Sequence, residues 1–168
     1  MLKGIRFAII VLSDRAALGV REDAAGPLLR TLIEKNGGEC VRLDVLPDDA
    51  ERLRKKILDL AVSGDYDVIL TSGGTGIGPR DCSVDVARSL LEKELPGFGE
   101  EMRRRSLEKT PYAILSRATA GVVHDVFLLN LPGSPQGAVD CLTWVLKPLE
   151  HAVRLLKKQV VDCQSQLK

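Results

Sequence analysis

The apolar run Val68-Ile69-Leu70 stops abruptly at Thr71-Ser72-Gly73-Gly74-Thr75-Gly76-Ile77-Gly78-Pro79-Arg80-Asp81, and no other stretch constrains the fold as strongly. Buried parallel strands read as short apolar runs bounded by turn residues. The junction therefore predicts the carboxyl end of a central strand opening into a functional loop, the place where open α/β sheets bind ligands.

The loop's composition suggests what it would bind. Gly73, Gly74 and Gly76 remove side chains from its inner wall, so backbone N–H groups can approach a ligand and positive φ is accessible. Successive N–H groups in such a nest favour an anion. Thr71, Ser72 and Thr75 add hydroxyls, Arg80 a fixed cation, and Asp81 a carboxylate suited to a hard metal ion. A phosphate ester with Mg2+ is the most economical ligand. The stretch matches neither G-x-x-x-x-G-K-[ST] nor G-x-G-x-x-G, and glycines alone serve equally well in a flexible strand-to-helix connection.

The rest of the chain places this loop among others. Ile5 to Leu12 reads as a first buried strand ending at Ser13-Asp14-Arg15, which taken alone is a turn with a surface ion pair. Asp23 is a candidate N-cap for a helix with Leu28, Leu29, Leu32 and Ile33 on one face, closed by Gly37-Gly38. Val41, Leu43 and Val45 alternate with Arg42 and Asp44, as in a half-exposed strand near a sheet edge. After it, Asp49 is the better cap for the helix bearing Leu53, Ile57, Leu60 and Ala61, which leaves Asp48 for other work.

Beyond the glycine loop, Asp81 or Ser83 is expected to cap a helix carrying Val86, Leu90 and Leu91. A charged helix from Phe98 to Lys109 follows, with Phe98, Met102 and Leu107 inward and Arg103-Arg104-Arg105 solvated. Tyr112 to Leu115 is a short apolar segment closed by Ser116-Arg117. Thr119 to Val123 and Val126 to Leu131 flank His124-Asp125 as a hairpin, which makes the sheet mixed. Gly133-Ser134-Pro135 opens a long helix with Pro135 in its first turn and an expected restart or kink at Pro148. If the strands are mainly parallel, Ser13/Asp14, Asp48, the loop Gly73 to Asp81 and Gly133/Ser134 converge on one rim of the sheet.

Length and composition remove several classes. A chain of 168 residues suits one α/β domain with a mostly parallel sheet. The net charge of +1 with interspersed signs, and three Phe, two Tyr and one Trp, argue against a nucleic-acid surface. The four cysteines Cys40, Cys82, Cys141 and Cys163 are far apart and lack zinc-site spacing, as expected of reduced thiols in a cytoplasmic protein. The apolar run Phe7 to Leu12 is too short for a signal sequence or a membrane span.

Four ordered motifs resemble the MogA/MoaB family of molybdenum-cofactor biosynthesis. They are Thr71 to Gly76 with Pro79-Arg80-Asp81; Glu94-Leu95-Pro96-Gly97-Phe98-Gly99-Glu100; Ala113-Ile114-Leu115-Ser116-Arg117; and Asn130-Leu131-Pro132-Gly133-Ser134-Pro135. The resemblance runs from the first strand to about Leu156. It implies a single three-layer molybdopterin-binding domain over residues 1–158, with one antiparallel hairpin strand and a polar tail over 159–168. It further implies adenylylation of molybdopterin by ATP and Mg2+ with release of pyrophosphate, by a homo-oligomer, trimer or hexamer, whose contacts the hairpin Thr119 to Leu131 would supply.

The family's two acidic positions fall on Asp48 and Asp81, which are expected to hold Mg2+. Gly73 to Gly76 would cradle phosphate, Arg80 would neutralise charge, and Ser13, Asp14, Ser116, Gly133 and Ser134 would line the site. Where relatives continue V-T-P-[DE] after the aspartate, this chain has Cys82-Ser83-Val84-Asp85. Cys82 has no neighbouring His in sequence and reads as a packed, inert thiol. A non-catalytic pterin-binding or assembly protein, and a nucleotidyltransferase or phosphohydrolase for another phosphorylated ligand, are the alternatives.

Overall fold

The unbroken apolar run near the amino terminus forms β1 (Arg6–Leu12), buried from Phe7 onward because both of its faces are covered. The chain is described here from a computed structural model covering residues 1–158; the polar tail expected over 159–168 lies outside the described residues. The remaining strands are β2 (Glu39–Leu46), β3 (Val68–Ser72), β4 (Lys93–Glu94), β5 (Ala120–Val123) and β6 (Val126–Leu131). The helices are α1 (Asp14–Ala17), α2 (Ala25–Lys35), α3 (Ala50–Val62), α4 (Ser83–Leu90), α5 (Pro96–Ser106) and α6 (Pro135–Leu156).

The six strands form one sheet in the order β2-β1-β3-β6-β5-β4. β1, β2, β3 and β6 run parallel, and β5 pairs antiparallel with both of its neighbours. One strand alone therefore runs against the rest, as the hairpin predicts. His124 and Asp125 adopt φ of 46° and 64° at its tip, the left-handed pair of a tight hairpin turn.

Strand alternation sorts the core into two layers. Phe7, Ile9, Val11, Val68, Leu70, Phe127 and Leu129 pack toward α2, α5 and α6. Ala8, Ile10, Leu12, Ile69 and Leu128 pack toward α3 and α4. The half-exposed edge expected around Val41 to Val45 is β2, with Asp49 capping α3 through Arg52 N at 2.9 Å. Asp23 caps the start of α2, its carboxylate accepting from Ala25 N and Gly26 N.

Register carries these elements to function. Leu12 lies opposite Leu46, Val11 opposite Ser72, and Ser72 opposite Leu131. Four carboxyl ends are thus level, and the segments that follow them leave along one rim.

Some expectations change. Tyr112 to Leu115 belongs to a 3₁₀ turn, Pro111–Leu115, capped by Thr110. β4 is a two-residue strand of charged residues, without the alternation that would reveal it. Leu107 is exposed rather than inward. α6 is continuous through Pro148, because its buried stripe Leu142, Val145, Leu146, Leu149 and Val153 extends past the proline. Burying those side chains outweighs the roughly 3 kcal/mol that an interior proline costs.

Candidate active site

At the rim, Asp14 and Asp48 lock together. Asp14 N donates to Asp48 Oδ2 at 3.1 Å, and Asp48 N donates to Asp14 Oδ1 at 3.0 Å. This reciprocal pair joins the ends of β1 and β2, and it follows from their parallel register. Arg80 reaches across from the glycine loop and grips Asp14 with Nη2 at 2.9 and 3.0 Å and Nε at 3.2 Å.

The surroundings consequently push the two carboxylates in opposite directions. The Arg80 guanidinium and the Asp48 amide hold Asp14 below its ordinary range. Burial pushes Asp48 up, and the charges of Asp14 and Asp81 add to that while Arg80 opposes it.

The loop itself is held by its carbonyls. Ser83 Oγ donates to Gly73 O and Gly74 O, at 2.8 and 2.7 Å, and Ser83 N donates to Gly74 O at 3.1 Å. Arg117 N donates to Thr75 O at 2.9 Å, Arg117 Nε to Gly76 O at 2.8 Å, and Arg117 Nη2 to Asp81 O at 3.4 Å. In a trans peptide the next residue's N–H points opposite to the carbonyl, and no cis bond is present among the described residues. The N–H groups of Gly74, Thr75, Gly76 and Ile77 therefore point away from Ser83 and Arg117, and none of the four has an acceptor among the described residues.

Glycine is required where the backbone is tight. Gly73, at φ +107°, would drive a Cβ into the Leu12 carbonyl. At Gly76 a Cβ would lie 2.8 Å from Asp81 Oδ2. Asp81 sits folded against its own loop, with Oδ2 accepting from Gly78 N at 2.8 Å.

Of the residues expected at the site, Asp14, Asp48, Arg80 and the loop are brought together as described. Ser13 caps α1 by accepting from Ala16 N at 3.2 Å, and with Gly133 it lines a small recess of about 100 Å3. Thr75, Gly76, Ser116 and Ser134 line a larger cleft of about 300 Å3, walled by Met102, Tyr112 and Leu115. Asp14 and Arg80 border another cavity of about 500 Å3 with Asp49 and Arg52.

Thr71 and Ser72 are fully buried. Their hydroxyls are occupied by Asn130 Nδ2 and Pro132 O, at 2.8 and 2.9 Å, so they brace the loop from beneath. Cys82 is half-buried, and burial together with the nearby carboxylates raises its thiol, consistent with an inert side chain.

Three contributors lay outside the sequence prediction. Ser83 looked like a helix cap, yet it spends its hydroxyl on the loop carbonyls. Arg117 looked like the end of a segment. Arg103, read as part of a solvated run, turns inward to Ser116 O and Ala118 O at 3.3 and 2.9 Å. The signal available for Arg117 was only its place in a motif.

A divalent cation at this rim would need oxygen donors. No group of three or more His, Cys, Asp or Glu suited to a metal ion exists among the described residues. Asp48 Oδ1 and Asp81 Oδ1, however, accept no hydrogen bond among the described residues. That arrangement fits Mg2+, which is ordinarily held by one or two carboxylates plus substrate phosphates.

A family model described as "Probable molybdopterin binding domain" matches residues 8–151. The chain belongs to this molybdopterin-binding family. The molybdopterin adenylyltransferase of Pyrococcus furiosus is 40% identical over 157 residues, covering 90% of this chain and 91% of that protein. That of Helicobacter pylori strain J99 is 32% identical, covering 92% and 89%. The crystal structure of the molybdopterin biosynthesis enzyme MoaB from Thermus thermophilus superposes with a TM-score of 0.86 at 39% identity, covering 92% of this chain and 97% of that one.

The molybdopterin-binding domain also occurs within longer proteins. The chain spans 27% of the Drosophila melanogaster molybdenum cofactor synthesis protein cinnamon, to which it is 34% identical over 160 residues. Among the described residues, no helix is long and apolar enough to cross a membrane.

Proposed function

We propose that this molybdopterin-binding domain is a molybdopterin adenylyltransferase. The pterin's terminal phosphate oxygen attacks the α-phosphorus of ATP, a new P–O bond forms, and the bond to the β-phosphate breaks to release pyrophosphate. The observation that carries this reading is the row of four outward amides at Gly74 to Ile77, beside two carboxylates that each keep an oxygen unengaged.

Bringing two polyanions into contact is an electrostatic and positional problem. The loop amides take phosphate oxygens without desolvating a side chain. Arg80, already at the rim, supplies a charge that can pass from Asp14 to a phosphate. Two cavities, one lined by Thr75 and Gly76 and the other by Arg80, give each substrate its own approach, and the walls of Tyr112, Met102 and Leu115 suit a flat heterocycle. Asp48 and Asp81 are the residues that would hold Mg2+, and the ion would offset charge on the transferring phosphate.

The test is pyrophosphate release by the purified chain from ATP, molybdopterin and Mg2+. Asp81→Asn and Asp48→Asn are each expected to lower kcat by about 10²-fold or more, the scale of losing one preorganised electrostatic contact. Molybdopterin binding without any pyrophosphate release would refute the enzyme and leave a binding protein. Mn2+ relaxation of water protons, weakened in both variants, reads the metal site without turnover.

The protein is further proposed to act in the cytoplasm as a homo-oligomer, a trimer or hexamer. The hairpin cannot supply its contacts, because β5 and β6 are spent entirely on the core. Tyr112 and Ile114, 77% and 70% exposed, are better placed to do so. Light scattering decides the stoichiometry.

A further inference from the structure

Arg117 stands behind the glycine loop, on the side away from the free amides. Its backbone N–H donates to Thr75 O, and its side chain donates to two further carbonyls of that loop, those of Gly76 and Asp81. Its remaining donors form a two-point ion pair with Asp85 on α4, Nη1 to Oδ1 at 2.8 Å and Nη2 to Oδ2 at 3.0 Å. The guanidinium therefore bridges three segments, the loop, the first turn of α4 and the stretch after the 3₁₀ turn.

We propose that Arg117 is a positioning residue, one that fixes the direction of the loop's anion-binding amides without touching the anion. Each carbonyl drawn back turns the following N–H outward, so the Ile77 amide owes its direction to this side chain through Gly76 O, while the Gly76 amide is set by the Arg117 backbone N–H on Thr75 O. Gly76 has no side chain of its own to restrict its backbone, so the restraint must come from outside. Ser83 performs the same service for the Gly74 and Thr75 amides. The planar guanidinium suits the task where an ammonium would not, because two carbonyls and a carboxylate must be met in fixed directions. Asp85 in turn keeps the fork oriented, and the two partners reinforce each other: Arg117 lowers the Asp85 carboxyl, and Asp85 raises the guanidinium.

The inference rests on the loop being the phosphate site of the proposed reaction, so its test separates the two. Binding of inorganic pyrophosphate with Mg2+ is measured by calorimetry for the wild-type chain and for Arg117→Ala, Arg117→Lys and Asp85→Asn, alongside thermal unfolding. Arg117→Ala is expected to weaken pyrophosphate binding by about 10²-fold, the scale of misplacing a binding group by an ångström. Arg117→Lys should recover only part of that, and Asp85→Asn should lose less than Arg117→Ala because the carbonyl contacts persist. Millimolar guanidinium should restore binding to Arg117→Ala, an effect that a merely loosened fold would not show.

Unchanged pyrophosphate affinity in Arg117→Ala would overturn the proposal, as would a loss that tracks the melting temperature and ignores guanidinium. A wild-type chain that binds no pyrophosphate would overturn it too. A wild-type chain that binds pyrophosphate but never releases it from ATP would overturn the enzymatic reading, and the variant series would still decide the role of Arg117.

Discussion

Replacing Ser83 by alanine tests how the loop is built. Its hydroxyl is fully buried and carries one proton, shared between the carbonyls of Gly73 and Gly74 at 2.8 and 2.7 Å. Gly74 O would keep the Ser83 amide at 3.1 Å. Gly73 O has no other partner among the described residues, so the substitution strands one buried carbonyl. Leaving such an acceptor unsatisfied costs about 1–3 kcal/mol. For a domain of this size each kcal/mol lowers Tm by about 2–4 °C, so a fall of about 2–12 °C is expected. Urea unfolding followed by circular dichroism gives the free energy, and calorimetry with pyrophosphate gives the accompanying loss of binding. A change below about 0.5 kcal/mol, the range of an unremarkable surface substitution, with pyrophosphate affinity intact would refute the reasoning.

Titration of Asp48 gives a signed test. Arg80 opposes the upward push of burial and neighbouring charge, so Arg80→Ala should raise the Asp48 pKa and move the acid limb of turnover to higher pH, whereas Asp81→Asn should lower it; carboxyl-carbon NMR reads both. Asp48 is raised in the fold, so its contribution to stability is present at low pH and is lost as pH rises through its folded pKa; Asp14, which is lowered, contributes above its unfolded pKa and loses that as pH falls through its folded value. Asp14→Asn should therefore flatten the acid side of a stability profile measured by urea titration. Gly73→Ala, strained at φ +107° and driven against the Leu12 carbonyl, should cost more than the roughly 1–2 kcal/mol of a left-handed non-glycine residue. Gly99→Ala should also destabilise, because its Cβ meets the Ala118 carbonyl backbone-on, as thermal unfolding would show.

Much of this architecture was legible in the chain. The continuous runs that became β1 and β3 are buried on both faces, and Val41 to Val45 alternates because β2 is an edge. Once strands are parallel, the rim at Asp14, Asp48 and Gly73 follows from where each apolar run stops. What escaped was direction. Nothing in the spelling of Ser83 says that its hydroxyl turns back toward Gly73 rather than capping α4. Arg103 and Arg104 are adjacent and chemically identical, yet one faces Ala118 and the other Glu101. β4 was invisible because two charged residues carry no periodicity. Thr71 and Ser72 were grouped with ligand-facing hydroxyls by proximity alone, and strand burial assigned them to the interior.

The edge position of β2 has a consequence for how this protein would lose activity. Asp48 follows directly on an edge strand, hydrogen-bonded to β1 on one side only and partly open to solvent along its length. Marginal strands peel away at a smaller free-energy cost than whole-molecule unfolding. Fraying of this margin would withdraw an acidic group from the rim and unclasp Asp14 while β1, β3 and β6 stayed paired. Inactivation on warming should accordingly precede the loss of ordered sheet, and amide exchange should be quicker in β2 than in β1, β3 and β6.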